Sequence, residues 1–229
     1  MNPTLTIALS LLSLSHADLL FPFSLSDDVI SYQALLEAPS SNNSFCQDIQ
    51  LNYCQYQFGQ TFGLDDSVSY KNGTMIYNAV NALLNSNVTE FRKICKARSN
   101  FHACLGSTYY TCLNLHNRVS DTTFENAFDY VRTFRGLEWL CGGGYKDVIH
   151  EFDCIKTGTF SGVYQSCINT FNQTVFPDSS FCGSVQTAGN CLHDAYAEVC
   201  GLDNGGHFAC ENFRFNFDNA CKQMRCQLN

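Results

Sequence analysis

Apolar side chains recur at three- to four-residue intervals over most of this chain, the period of a helix with one buried face. The clearest case is "DTTFENAFDYVRTFRGLEWLCGGG" at 121–144. Phe124, Phe128, Val131 and Phe134 form one stripe, and Asp121 or Thr122 can cap it. Thr122-x-x-Glu125 fits a capping box, and the Gly142–Gly144 run ends the element. The same spacing predicts helices over 45–62, 75–85, 88–97, 100–113, 145–153, 160–173, 180–200 and 207–219. Strand-like alternation is scarce, and Pro177 is the only proline after Pro39, so little interrupts a helical chain. No period of roughly 20 to 50 residues recurs, which argues against a repeat array. The predicted class is mainly α, with several short-to-medium helices in one domain.

The helix predicted over 180–200 places Cys182, Val185, Gly189, His193, Tyr196 and Cys200 within about 60° of one another. Cys191 points to the opposite side, so this element can be stapled on two faces.

Outside the helical patterns, three regions separate. Residues 1–17 read as a signal peptide. An apolar run extends from Leu5 to Leu14, no acidic residue precedes Asp18, and Ser15 and Ala17 frame a cleavage site after Ala17. The n-region carries no Lys or Arg, and the run is too short to cross a bilayer. Residues 18–45 form a leader, "DLLFPFSLSDDVISYQALLEAPSSNNS" and Phe45, with no cysteine and a polar close. One short helix and weak attachment to the rest are expected of it. Residues 46–226, about 180 in number, suit a single domain with no linker dividing it. No later apolar run reaches the length of a membrane span, and the end carries neither a lipid-anchor tail nor a retention signal. A secreted, extracellular product without membrane anchor is expected.

The cysteines change this picture most. Cys46, Cys54, Cys95, Cys104, Cys112, Cys141, Cys154, Cys167, Cys182, Cys191, Cys200, Cys210, Cys221 and Cys226 make 14, an even number. In an oxidising compartment they imply up to seven disulfides, whose partners the sequence leaves open. Zinc favours C-x₂-C pairs, and the tightest spacing here is Cys221 to Cys226, so no metal or other cofactor is implied. The formal charge of −8 argues against nucleic acid or an anionic membrane as partner. Asn42, Asn72, Asn87 and Asn172 each open an N-x-[ST] sequon and are glycosylation candidates on a secretory route. The 19 Phe and 11 Tyr predict a helical core packed with rings, with a ligand-lining aromatic pocket as the alternative.

One motif invites a catalytic reading. "NCLHDAY" at 190–196 contains the His-Asp pair of the secreted phospholipase A2 active-site helix, where the imidazole activates a water. That pattern needs two adjacent cysteines before the pair and a calcium loop shortly upstream. Here Leu192 alone separates a cysteine from His193, and the glycine cluster "CGGGY" at 141–145 lies about fifty residues earlier, too far to serve. His193 on the buried stripe reads as a hydrogen-bonded core histidine. There is no G-x-S-x-G, "HEFDC" at 150–154 lacks the second histidine of a zinc protease, and "GLDNGGH" at 201–207 lacks spaced acidic ligands. A helix stop at Gly201 and a turn at Asn204-Gly205 account for the last. No catalytic residue is assigned.

"FRKICKARSNFHACLGSTYYTC", "FRGLEWLCGGGYKDVIHEFDCI", and the run from "NCLHDAYAEVCG" through "HFACENFRFNFDNACKQMRC" resemble the nematode-expanded secreted family known as domain of unknown function nineteen. The resemblance covers about residues 46 to 226 and rests on cysteine spacing with Phe-x-x-Cys-Leu, Cys-Gly-x-Gly-Tyr and a final Cys-x₄-Cys. It implies a secreted, disulfide-rich, mainly helical domain with no catalytic residues to carry over. The expected role is an extracellular interaction or structural module whose partner is an extracellular protein. Carriage of a small apolar ligand or lipid is the alternative, and a phospholipase-like hydrolase ranks last.

Overall fold

Thr123 starts the central helix: its hydroxyl accepts the Asn126 amide hydrogen at 3.3 Å. This is one residue later than the capping box predicts, because Thr122 is engaged elsewhere, donating to the Lys71 carbonyl at 3.0 Å. In the computed structural model, which describes residues 18–38, 45–174 and 181–226, that helix runs Phe124–Leu140. The chain order is α1 Asp27–Leu36, α2 Asp48–Gln60, α3 Gly73–Leu84, α4 Val88–Leu105, α5 Tyr109–Cys112, α6 Leu115–Arg118, α7 Phe124–Leu140, α8 Tyr145–Gly158, α9 Gly162–Asn172, α10 Phe181–Cys200 and α11 Leu202–Arg214. Among the described residues there is no strand. The mainly α, disulfide-rich class predicted from the pattern is therefore the observed one.

Two predicted helices, 88–97 and 100–113, are one continuous α4 followed by a 3₁₀ turn at Gly106–Thr108 and the short α5. Ser99 and Asn100 lie on the exposed side, while Phe91, Ile94, Cys95, Ala97, Phe101 and Leu105 hold the buried face without a break. The predicted turn at Asn204-Gly205 is also corrected. Gly201 ends α10 with φ of 73°, and Asn204 and Gly205 already lie inside α11. These glycines are needed for close approach: a Cβ on Gly205 would sit 2.5 Å from the Cys200 Cβ, and one on Gly206 2.9 Å from the His193 ring.

Phe134 of α7 lies at the centre, stacked on Phe101 at 4.4 Å and against Phe58 at 5.1 Å and Tyr130 at 5.0 Å. A second ring cluster joins Phe171, Phe213 and Phe217 of the C-terminal part. Aromatic pairs in such tilted and edge-on geometry add roughly 0.5–1.5 kcal/mol each beyond area burial.

All 14 cysteines pair. Cys46–Cys112, Cys54–Cys104 and Cys95–Cys141 lie within 46–141. Cys154–Cys200, Cys167–Cys191, Cys182–Cys221 and Cys210–Cys226 lie within 154–226. As expected, α10 is stapled on two faces, through Cys191 to α9 and through Cys182 and Cys200 on the other side. No disulfide joins the two halves, which meet through packing and an ion pair between Arg135 and Asp218.

The leader does not behave as a weakly tied segment. Its helix is present as α1, but Leu19, Leu20, Phe21 and Phe23 are all buried in the core between the two halves. Gly136 of α7 makes room for Leu20, since a Cβ there would lie 2.5 Å from Leu20 Cδ2. Phe21 packs on Tyr164 and Tyr196, and Phe23 on Phe128, Phe171 and Phe213. Burying four such side chains contributes about 1.5–3 kcal/mol each. A run this short with a proline at position 22 has no helical period, so the pattern along the chain concealed its burial.

Candidate functional site

Helix α2 has apolar residues on two sides. The inner side carries Leu51, Cys54, Phe58 and Gly59, with Gln55 accepting the buried Tyr130 hydroxyl at 3.0 Å. Disulfides at Cys46 and Cys54 fix this side to α5 and α4. The outer side carries Ile49, Tyr53 and Tyr56, 87%, 57% and 43% exposed, at spacings of one helical face, and Phe45, 79% exposed, stands just before the helix begins. Asp48 is the only charged residue in the helix. A rigidly held, uncharged and aromatic-rich face turned to solvent is the strongest exposed apolar feature of the described residues, beyond the single exposed hydrophobics any surface shows.

Beside the start of this stripe, a cleft of about 730 Å³ opens between α1, α2 and α6, with Leu35, Phe45 and Phe124 on its walls. Its floor is the buried Arg118, whose Nη1 stands 3.0 Å from Asp121 Oδ2 and 3.7 Å from Asp48 Oδ1, with the guanidinium 4.9 Å over the Tyr70 ring. Two carboxylates against one guanidinium leave the floor formally negative, which disfavours an anionic ligand there.

A second, polar cleft of about 430 Å³ gathers Glu37, Arg135, Glu138 and Asp218. Arg135 pairs with Glu138 at 2.8 Å and with Asp218. Burial pushes the Glu37 carboxyl up from 4.5 to about 7, against the opposing pull of Arg135. The folded state then holds this proton more tightly than the unfolded chain. The contribution to stability is full below about pH 4.5 and is lost as pH rises through 7. Glu37→Gln should therefore flatten the fall of melting temperature between those values and stabilise the protein at pH 8 by about 1–3 kcal/mol. An unchanged pH profile of thermal unfolding would contradict this.

His193 is buried on α10 as the stripe predicts, its ring beneath Gly206 and its Nδ1 3.1 Å from Oδ1 of Asp194, a side chain 81% exposed. Neither residue lines the two clefts above or a third, of about 580 Å³, between α9 and α10. Cys154 of "HEFDC" is in a disulfide, and Gly143 and Gly144 lie against the Trp139 ring, with a Cβ on Gly143 placed 2.4 Å from Trp139 Cζ3. No group of three potential metal ligands gathers among the described residues.

Of the sequons, Asn87 caps α4 by accepting the Glu90 amide hydrogen at 3.0 Å and is exposed. Asn72 accepts from the Ser69 amide at 3.0 Å, Asn172 accepts from the Ser24 amide at 2.8 Å, and Asn42 lies outside the described residues.

The α2 face was missed because the helix reads as apolar on both sides, and nothing in the pattern alone says which side the body covers. Compared with protein-family models, with curated proteins and with solved structures, the chain finds no match.

Proposed function

We propose that the protein is a secreted extracellular interaction module, in keeping with its resemblance to the secreted, disulfide-rich domain of unknown function nineteen, and that the outer face of α2 is its docking surface for a partner protein. The observation that carries this reading is the stripe Ile49, Tyr53 and Tyr56 of α2 with Phe45 just ahead of it, exposed on a segment held from behind by the disulfides of Cys46 and Cys54. Aromatic anchors on a preorganised scaffold are the usual source of protein–protein affinity, because ordering costs are already met. The partner's chemistry follows from the face: an apolar groove or helix face, with uncharged polar groups to meet the two tyrosine hydroxyls and the flanking glutamines. Seven disulfides in a chain of this size support an oxidising, extracellular setting.

Carriage of a small apolar ligand is a second reading, favoured by the 730 Å³ cleft walled by Leu35, Phe45 and Phe124. Against it stands the mutual packing of the core rings, which fills the interior with side chains.

The double variant Phe45→Ser, Ile49→Glu separates these possibilities. Both side chains are exposed, so unfolding free energy should stay within about 0.5 kcal/mol of wild type. Recovery of a discrete partner from native extracellular fluid should fall at least about tenfold, the effect of losing roughly 1.4 kcal/mol of binding. Equal recovery by both proteins would overturn the docking reading, and a bound lipid mass in native mass spectrometry of wild type would favour carriage.

A further inference from the structure

The leader's extended stretch is bound in the manner of a peptide in a receptor. The Leu19 and Leu20 amides donate to Asn85 and Asn81 at 2.9 and 3.2 Å, and the Ser24 amide donates to Asn172 at 2.8 Å. The Leu19 carbonyl accepts from Asn212 at 2.8 Å and the Leu20 carbonyl from Tyr77 at 3.0 Å. Arg132 Nη1 donates to both the Phe21 and Phe23 carbonyls, at 3.2 and 2.6 Å. Among the described residues, side chains of the body thus recognise the main chain of residues 19–24. Pockets between the two disulfide-bonded halves take Leu19, Leu20, Phe21 and Phe23.

Arg132 is itself fixed for this task, paired with Asp129 at 2.8 Å and lying 3.9 Å over the Tyr77 ring. At the near end of the groove, the buried hydroxyls of Tyr164 and Tyr196, whose rings flank Phe21, have no hydrogen-bond partner among the described residues. That leaves polar capacity in the groove which the resident segment does not use. Residues 18–45 contain no cysteine, so no covalent bond to the body has to break for the segment to leave.

We propose that this groove is a peptide-binding site of the pattern Leu-Leu-Phe-x-Phe, filled in cis by residues 18–24, and that it accepts the same segment in trans from a second copy of this chain. Main-chain recognition by side chains gives affinity, and the apolar pockets give sequence selectivity. Exchange of one segment between identical protomers needs no new contact, only the same contact made between chains. This site is separate from the α2 face and stands or falls independently of it.

The test uses the full chain with a specific protease recognition sequence placed between Ala38 and Phe45, cut after folding. The severed 18–38 fragment should co-elute with the body on native size exclusion and separate from it on a non-reducing denaturing gel. When isotopically heavy and light cut proteins are mixed, hybrids should appear in native mass spectrometry. A labelled peptide of residues 18–26 should compete for the groove, while the same peptide carrying Leu20→Asp should compete at least a hundredfold less well. Because that change is in the peptide, it cannot disturb the body. A body that unfolds when the fragment is diluted away, hybrids that never form, or peptides that compete equally would each overturn the proposal.

Discussion

Full reduction without denaturant should abolish most of the helical far-ultraviolet signal and all cooperative melting. The bridges of the N-terminal half close loops of 66, 50 and 46 residues and those of the C-terminal half loops of 46, 24, 39 and 16. Removing one native bridge from a small secreted domain costs about 2–5 kcal/mol, and whole domains are stable by only about 5–15 kcal/mol. Losing seven together exceeds any margin of that size. The block pattern adds a sharper expectation. Cleavage between Cys141 and Cys154 should yield two pieces that separate under denaturing, non-reducing conditions, because no bridge spans that interval. A reduced protein that still melts cooperatively, or halves that stay linked, would contradict the covalent framework.

The next largest effect is expected from one leader residue. Leu20→Asp introduces a carboxylate at a position 4% exposed, against the Gly136 backbone of α7. Losing the buried leucine and desolvating an unpaired charge together cost roughly 4 kcal/mol or more. Leu36→Asp, on the 44% exposed side of α1, should change stability by less than about 0.5 kcal/mol. Chemical denaturation of both variants decides the matter. A change below about 1 kcal/mol for Leu20→Asp would restore the picture of a loosely attached leader.

The two elements with unbroken stripes were legible along the chain. Helix α7 needed only its cap moved by one residue, and α10 appears with its predicted cysteine faces, because long periodic segments commit one face to the core whatever surrounds them. What the pattern hid depends on partners distant in sequence. Gly205 looks like a turn residue until α10 lies across α11, when a Cβ on it would meet Cys200 and one on the adjacent Gly206 would meet the His193 ring. Asn81, Asn85, Asn172 and Asn212 look like surface polar residues until the leader's backbone supplies what they bind. The outer stripe of α2 has the same composition as a buried one, so its exposure is a property of the assembled fold. The pairing of cysteines, one arrangement out of very many, likewise required the structure.

A photoreactive amino acid at position 49, compared with one at the exposed Val163 of α9, tests the docking face most directly. After irradiation in native extracellular fluid, the probe at 49 should form a discrete covalent adduct with a protein partner, and the probe at 163 should not. Adducts of equal yield at both positions, or none at 49 while the protein remains folded, would contradict the assignment of α2 as the binding surface.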